Sequence, residues 1–348
     1  MQHRHSQYDV TNTIRVADPR EVAREVGRLL RVLYPKADLW PVERAFDTFT
    51  QAFAGTLPGY HGCDTWYHDA QHSLDCTLAM ARLLDGHERS VGRRGALGER
   101  RARLGVICAL FHDVGYIRRR EETQVHNGAE LTLCHVTRSG EFLADFLPTV
   151  GFGREAAMAR QLVHYTGYEM PLRAVRVRGA QDRRLGFLLG TADLIAQMAD
   201  RNYPEKCRNF LYHEFEACGL AGPARPGRPA PIYRSPDELL RKTPEFARKL
   251  FEDRLDGYFE SAYRYVEKHF GGRNLYLDEI HRHLDQIRRA IDTGDRSLLR
   301  RRPKSVNARA LRRLMGIRLA RQPRGGKLPL RGLRTRRARV AAADYVPA

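Results

Sequence analysis

Val106-Ile107-Cys108-Ala109-Leu110-Phe111-His112-Asp113 is the stretch on which the fold turns. Six apolar residues run straight into an imidazole and a carboxylate. A segment that is apolar nearly all round predicts a helix buried at the centre of a helical body, and Gly115 just beyond can end it. Burying His112 and Asp113 there is costly unless something pairs with them. A divalent metal would do so and would give the chain a reaction to run. The ordinary alternative is a helix end where His favours the dipole. Asp113 fits that poorly, being a negative charge at the negative end.

Two other segments point the same way. Tyr67-His68-Asp69-Ala70-Gln71-His72-Ser73-Leu74-Asp75 places His68 and His72 four apart, on one helix face. The plain alternative is a solvated helix start with two surface histidines. Leu188-Leu189-Gly190-Thr191-Ala192-Asp193 puts an acid inside another apolar helix, and Arg183 and Arg184 lie too far back along it to pair with Asp193. With 14 histidines in the chain, a single His-Asp or His-x-x-x-His means little. Their conjunction at helix ends and faces is the signal.

Around these segments the pattern is helical, and the expected class is all-α. Asp18-Pro19 reads as a helix start, with Val22, Val26, Leu29, Leu30 and Leu33 following at helical spacing. A second helix is expected from Pro41, a third over 69–84, and others over 127–145, 154–164, 182–199, 236–270 and 277–291. Residues 219–231 read as a loop. The expected organisation is N-terminal helices over 1–59, a helical catalytic domain over 60–291 and a flexible basic tail over 292–348, with one short amphipathic helix around Leu311, Leu314 and Ile317.

The chain has 348 residues, 42% of them apolar, and a net charge of +19. That charge is concentrated: residues 288–340 hold 19 Lys and Arg against Asp292 and Asp295, while the remaining 41 bases face 39 acids. A nucleic-acid groove within the main domain is therefore not expected. No run approaches the roughly 18 apolar residues of a membrane helix, and the first residues carry no hydrophobic signal region, so a cytoplasmic protein is expected. The six scattered cysteines read as reduced thiols.

The order His72, His112-Asp113, Asp193 resembles the HD superfamily of metal-dependent phosphohydrolases. Tyr67-His68-x-x-x-His72-x-x-Asp75 is similar to the opening motif of cyclic-nucleotide phosphodiesterases, with Asp69 where that family has asparagine. His126-Asn127-Gly128-Ala129-Glu130 and His164-Tyr165-Thr166-Gly167-Tyr168 resemble later histidine motifs of the HD-GYP group. The lysine that follows the His-Asp motif there is replaced by Tyr116, and Glu169-Met170-Pro171 follow Tyr168, which puts a cyclic dinucleotide substrate in doubt.

The resemblance implies an HD-type helical bundle and a metal set of His72, His112, Asp113, His126, His164 and Asp193 around two divalent ions (Mn, Fe, Zn or Mg), with Asp113 bridging. It implies metal-activated water attacking a small-molecule phosphate ester and His68 as general acid, with Asp113 sharing the catalytic role. Arg118 and Arg119, with Arg120 beside them, are the candidate contacts to phosphoryl oxygens, and Arg201 and Lys206 are weaker ones. Asp69 or Gln71 is placed to orient His68 or a water. His135 is a rival to His126 for the fifth ligand position, but mid-helix near Leu131 and Leu133 it is expected to be a core histidine. Two other functions fit the same residues: a di-iron oxygenase, or a non-catalytic regulator binding nucleotide or nucleic acid. The basic tail at 296–340 would serve nucleic acid or an anionic lipid surface.

Overall fold

A computed structural model describes residues 4–224 and 230–318. Among them no β-strand forms, and the body is helical. Asp18 caps α1 (Pro19–Leu33) by accepting from the Arg20 N–H, as its sequence context predicts. α2 is Trp40–Ala54. α3 (Ala70–Ser90) is capped by Asp69, whose carboxylate accepts the His72 N–H at 3.0 Å. α4 is Glu99–Phe111, with His112 as its C-cap.

Further along come α5 (His135–Phe146), α6 (Ala156–Leu162) and α7 (Ala180–Ala199), with Asp193 inside α7. α8 (Tyr203–Lys206), a π-helical segment over Cys207–Leu211 and α9 (Tyr212–Ala217) form a run that no periodicity announced. α10 (Pro236–Leu250), α11 (Tyr265–His269) and α12 (Leu275–Thr293) follow. The long helix expected over 236–270 is broken by a π-helical stretch at Phe251–Tyr258 and a turn at Glu260 and Ser261, both with φ of 53°.

α3 is the axis of the body. α1, α4, α7 and α11 surround it, and every residue from Ala70 to His87 is buried. The approach of α11 requires Gly86, where a Cβ would sit 1.7 Å from the Tyr265 carbonyl oxygen. With α4 and α7 against it, the start of α3, the end of α4 and the middle of α7 share one centre. No helix among the described residues is long and apolar enough to cross a membrane.

The three expected segments share one core, which runs from Val16 to Leu311. The reading of everything after 292 as a flexible tail needs correction as far as residue 318. Leu299, Val306 and Leu311 are buried, and α13 (Ala308–Met315) packs against α2. Three well-spaced apolar anchors outweigh the surrounding arginines. The rest of that segment lies outside the described residues. All six cysteines are free thiols.

Candidate metal centre

His72, His112, Asp113 and Asp193 meet. The His72 Nε2 atom lies 3.2 Å from Asp113 Oδ2, 3.2 Å from Asp193 Oδ1 and 3.2 Å from His112 Nε2. His112 Nε2 lies 3.3 Å from Asp113 Oδ2 and 3.5 Å from Asp193 Oδ1. Pairwise hydrogen bonds explain this badly. One ring nitrogen carries at most one proton, yet each Nε2 faces two oxygens and another nitrogen. Asp113 Oδ2 has no hydrogen bond of acceptable geometry. Donor atoms about 2.1 Å from one ion lie roughly 3.0–3.4 Å from each other in octahedral or tetrahedral arrangements. The observed spacings match edges of such polyhedra, and His72, His112 and Asp113, with Asp193 beside both histidines, could hold an ion.

The surroundings agree. His112 donates Nδ1–H to the Ala109 carbonyl at 2.7 Å, which turns its Nε2 lone pair to the centre. Gln197 reaches Asp193 Oδ1 at 3.5 Å and is itself met by the Tyr67 hydroxyl at 3.2 Å. Burial disfavours imidazolium at His72, but Asp113 and Asp193 outweigh it and hold its pKa at about 9. His112 is raised in the same way. Burial pushes Asp193 up, and the two histidines outweigh that and pull it down to about 2. The two carboxylates thus create a strong demand for positive charge, which protons or an ion can meet. Cys76 also lies within reach of His112 and Asp193, but burial pushes its thiol up to about 11, so it stays protonated at neutral pH.

Two further histidines lie on this side of the fold. His135 Nε2 is 3.6 Å from Asp113 Oδ1, and His135 Nδ1 is fixed at 2.6 Å from the Thr132 carbonyl. The expected helix over 127–145 breaks at 132–134, so His135 opens α5 instead of sitting inside it. Gly115 makes this approach possible: a Cβ there would be 1.9 Å from the His135 carbonyl oxygen. His164 is buried and its Nδ1 has no hydrogen-bond partner among the described residues. Burial lowers the pKa of both His135 and His164, keeping them neutral, the form that ligates metals.

Other expectations are corrected. His126 is exposed on a loop, with its backbone N–H bonded to Glu130, and it does not line the cavity. The motif resemblance there is one residue short, and His135 lines the cavity where His126 does not. Arg118 is committed to Asp64 at 2.8 Å and to the Val125 carbonyl at 2.9 Å. Arg119 pairs with Glu141 at 3.3 Å. Neither faces the cavity. Lys206 is buried against Asp200 at 2.7 Å. Asp69 caps α3, and Gln71 bonds Asp200 and the Ser6 carbonyl, so neither orients His68.

His68 does reach the site. It lines one cavity with His72, Asp113, Tyr116, His135 and Asp193. Its Nδ1 lies 2.6 Å from Glu214 Oε2, while Glu214 Oε1 accepts the Trp66 and Tyr67 backbone N–H groups at 2.7 and 2.6 Å. The Tyr116 ring stacks on His68 at 4.4 Å and on His135 at 4.3 Å. Sequence reasoning missed Glu214 because α9 carries no motif. The cavity offers about 30 Å³ of free space and opens to solvent, far below the roughly 300 Å³ or more of small-molecule pockets. No protein-family model, curated protein or solved structure matches this chain.

Proposed function

We propose that this chain is a metal-dependent phosphohydrolase acting on a phosphate ester of a nucleotide-like molecule. The observation that carries this reading is a fixed imidazole, His68, on the wall of the same cavity as the four converging donors. His72, His112, Asp113 and Asp193 would hold one divalent ion. His135, 3.6 Å from Asp113 Oδ1, and the buried His164 would be the candidates to hold a second. Mixed imidazole and carboxylate donors suit Mn, Fe or Zn. When bound, such ions supply Lewis acidity toward a phosphoryl oxygen and lower the pKa of water to about 7.

The chain's own residues do the rest. Glu214 accepts Nδ1–H of His68, which leaves Nε2 to hand a proton to the departing oxygen. The backbone N–H groups of Trp66 and Tyr67 fix Glu214, and Tyr116 fixes the plane of the ring. Gln197 and Tyr67 hold the Asp193 carboxylate in place. Two carboxylates and no Lys or Arg line the cavity, so a phosphate would be repelled unless cations occupied it. Protons on His72 and His112 or a metal ion can meet that demand.

Turnover of bis(p-nitrophenyl) phosphate and of an unactivated dinucleotide tests the proposal, with Mn, Fe, Zn and Mg supplied in turn. His112→Ala should lose metal and turnover together. His68→Ala should keep metal and lose about 10²–10⁴-fold with the dinucleotide, and less with p-nitrophenolate, a leaving group that needs no proton. Undiminished turnover by His112→Ala would overturn the proposal. Iron-dependent oxygen uptake without ester cleavage would move the reading to an oxygenase.

A further inference from the structure

The segment after α12 crosses the face beside the cavity mouth. Arg208 donates to the Leu299 carbonyl at 3.2 Å, and Arg301 to the Arg201 carbonyl at 2.7 Å. Ser305 Oγ donates to the Thr65 carbonyl at 3.3 Å, Val306 N–H to Asp69 Oδ2 at 2.6 Å, and Ala308 N–H to the Cys63 carbonyl at 2.8 Å. Residues 299–308 therefore form a strap tied at one end to the segment after α7, at Arg201 and Arg208, and at the other to the chain around His68, at Cys63, Thr65 and Asp69. Exposure alternates along it: Arg300, Arg302 and Lys304 are exposed, while 301, 303 and 305 are part-buried. Alternate residues of an extended chain are about 6.6 Å apart, comparable with successive phosphates along an extended single strand.

Some surface cations are paired locally and others are not; Arg93, Arg94, Arg173, Arg176 and Arg178 are also exposed with no ion pair among the described residues. Arg28, Arg248 and Arg282 pair with acids on their own helices. Arg302, Lys304, Arg309 and Arg313 form no ion pair among the described residues, Arg300 has only Asp295 nearby, and residues 296–318 contain no acid at all. Beside the strap stands Trp66, 51% exposed and edge-on to Phe210 at 5.6 Å. Trp66 is two residues before His68, and Phe210 adjoins Leu211; both His68 and Leu211 line the cavity. The other exposed large apolar residues, Val32, Trp40 and Ile291, form no band with it. Trp40 opens α2, whereas α13 is tied to its far end, where Arg312 donates to the Ala54 carbonyl. One aromatic platform flanked by evenly spaced cations fits stacked bases and phosphates, not insertion into a bilayer.

We propose that Trp66 and the strap Arg300–Lys304 form a docking track for a single-stranded polynucleotide, whose bound end delivers a phosphate ester to the adjoining cavity. This deepens the phosphohydrolase reading and rests on it. The small cavity takes the phosphoryl group, and the remainder of the strand lies outside on the track.

The test is binding of a fluorescein-labelled 20-nucleotide single-stranded RNA to the full chain carrying His68→Ala, which spares the strand. A duplex of the same sequence and vesicles of phosphatidylserine and phosphatidylcholine are the comparison probes. Single-stranded RNA should bind best. Arg300→Gln/Arg302→Gln/Lys304→Gln should reduce the slope of log affinity against log salt by about 2, at about 0.7 per cation. Trp66→Ala should weaken binding between about five- and a hundredfold with the slope unchanged. Melting temperatures within a degree or two of the parent would establish that the surface variants fold. Preference for duplex or vesicles, or indifference to both variants, would overturn the track. Variant-sensitive RNA binding without ester hydrolysis in the parent chain would keep the track and remove the hydrolase reading; hydrolysis without such binding would do the reverse.

Discussion

Metal uptake by this centre should expel protons. The Asp113 and Asp193 carboxylates hold His72 at about 9 and His112 above its ordinary range. At pH 7 a group with pKa 9 is about 99% protonated. The two Nε2 atoms are 3.2 Å apart, so two imidazolium charges repel and the second proton is held less firmly. An ion needs both Nε2 lone pairs and must displace whatever protons they carry. We therefore expect release of between one and two protons per ion at pH 7. Affinity should fall by about 10- to 100-fold per pH unit on going from pH 8 to pH 6. Calorimetric titration of metal-stripped protein with Mn²⁺, in buffers of differing ionisation enthalpy, reads the proton count directly. Tight binding at this centre with no proton release would refute the reasoning, because it would mean the carboxylates do not charge the imidazoles.

Glu214→Gln removes the charge that fixes His68 without touching a metal donor, so turnover should fall about 10- to 100-fold with metal content unchanged; loss of metal would contradict the assignment. His135→Ala should reduce bound metal from two ions to one per chain, whereas His126→Ala should leave both metal and turnover at parent levels, as elemental analysis of the two variants would establish. Burial, reinforced by Asp200, raises Asp75 to about 7. A raised acid favours the fold while it is protonated, so this contribution is lost as pH climbs from about 4 through 7. Asp75→Asn should therefore gain on the parent by about 3 kcal/mol between pH 5 and pH 8, measured by urea unfolding; a gap independent of pH would exclude the buried-acid explanation.

The four inner donors were legible because each is a polar residue set into an apolar run, which marks burial without naming the partner. The helices α1, α2, α4 and α7 were legible from periodicity and from caps such as Asp18. His135 reads as a core histidine, and a rival ligand only, because the break at 132–134 carries neither Gly nor Pro to stop the helix before it. Glu214 lies 146 residues from the imidazole it fixes, and only the tertiary fold brings them together. Arg118 and Arg119 sat beside the right motif, yet Asp64 and Glu141 had already claimed them. The strap was hidden by its own composition: its arginines suggested disorder, and its three anchors are too widely spaced to show a helical or strand period.

Anomalous diffraction from crystals soaked in Mn²⁺ or Zn²⁺ is the most direct measurement. A peak about 2.0–2.2 Å from His72 Nε2, His112 Nε2, Asp113 Oδ2 and Asp193 Oδ1 is the predicted result. A saturated soak with density at other residues, or with none among these four, would contradict the central claim.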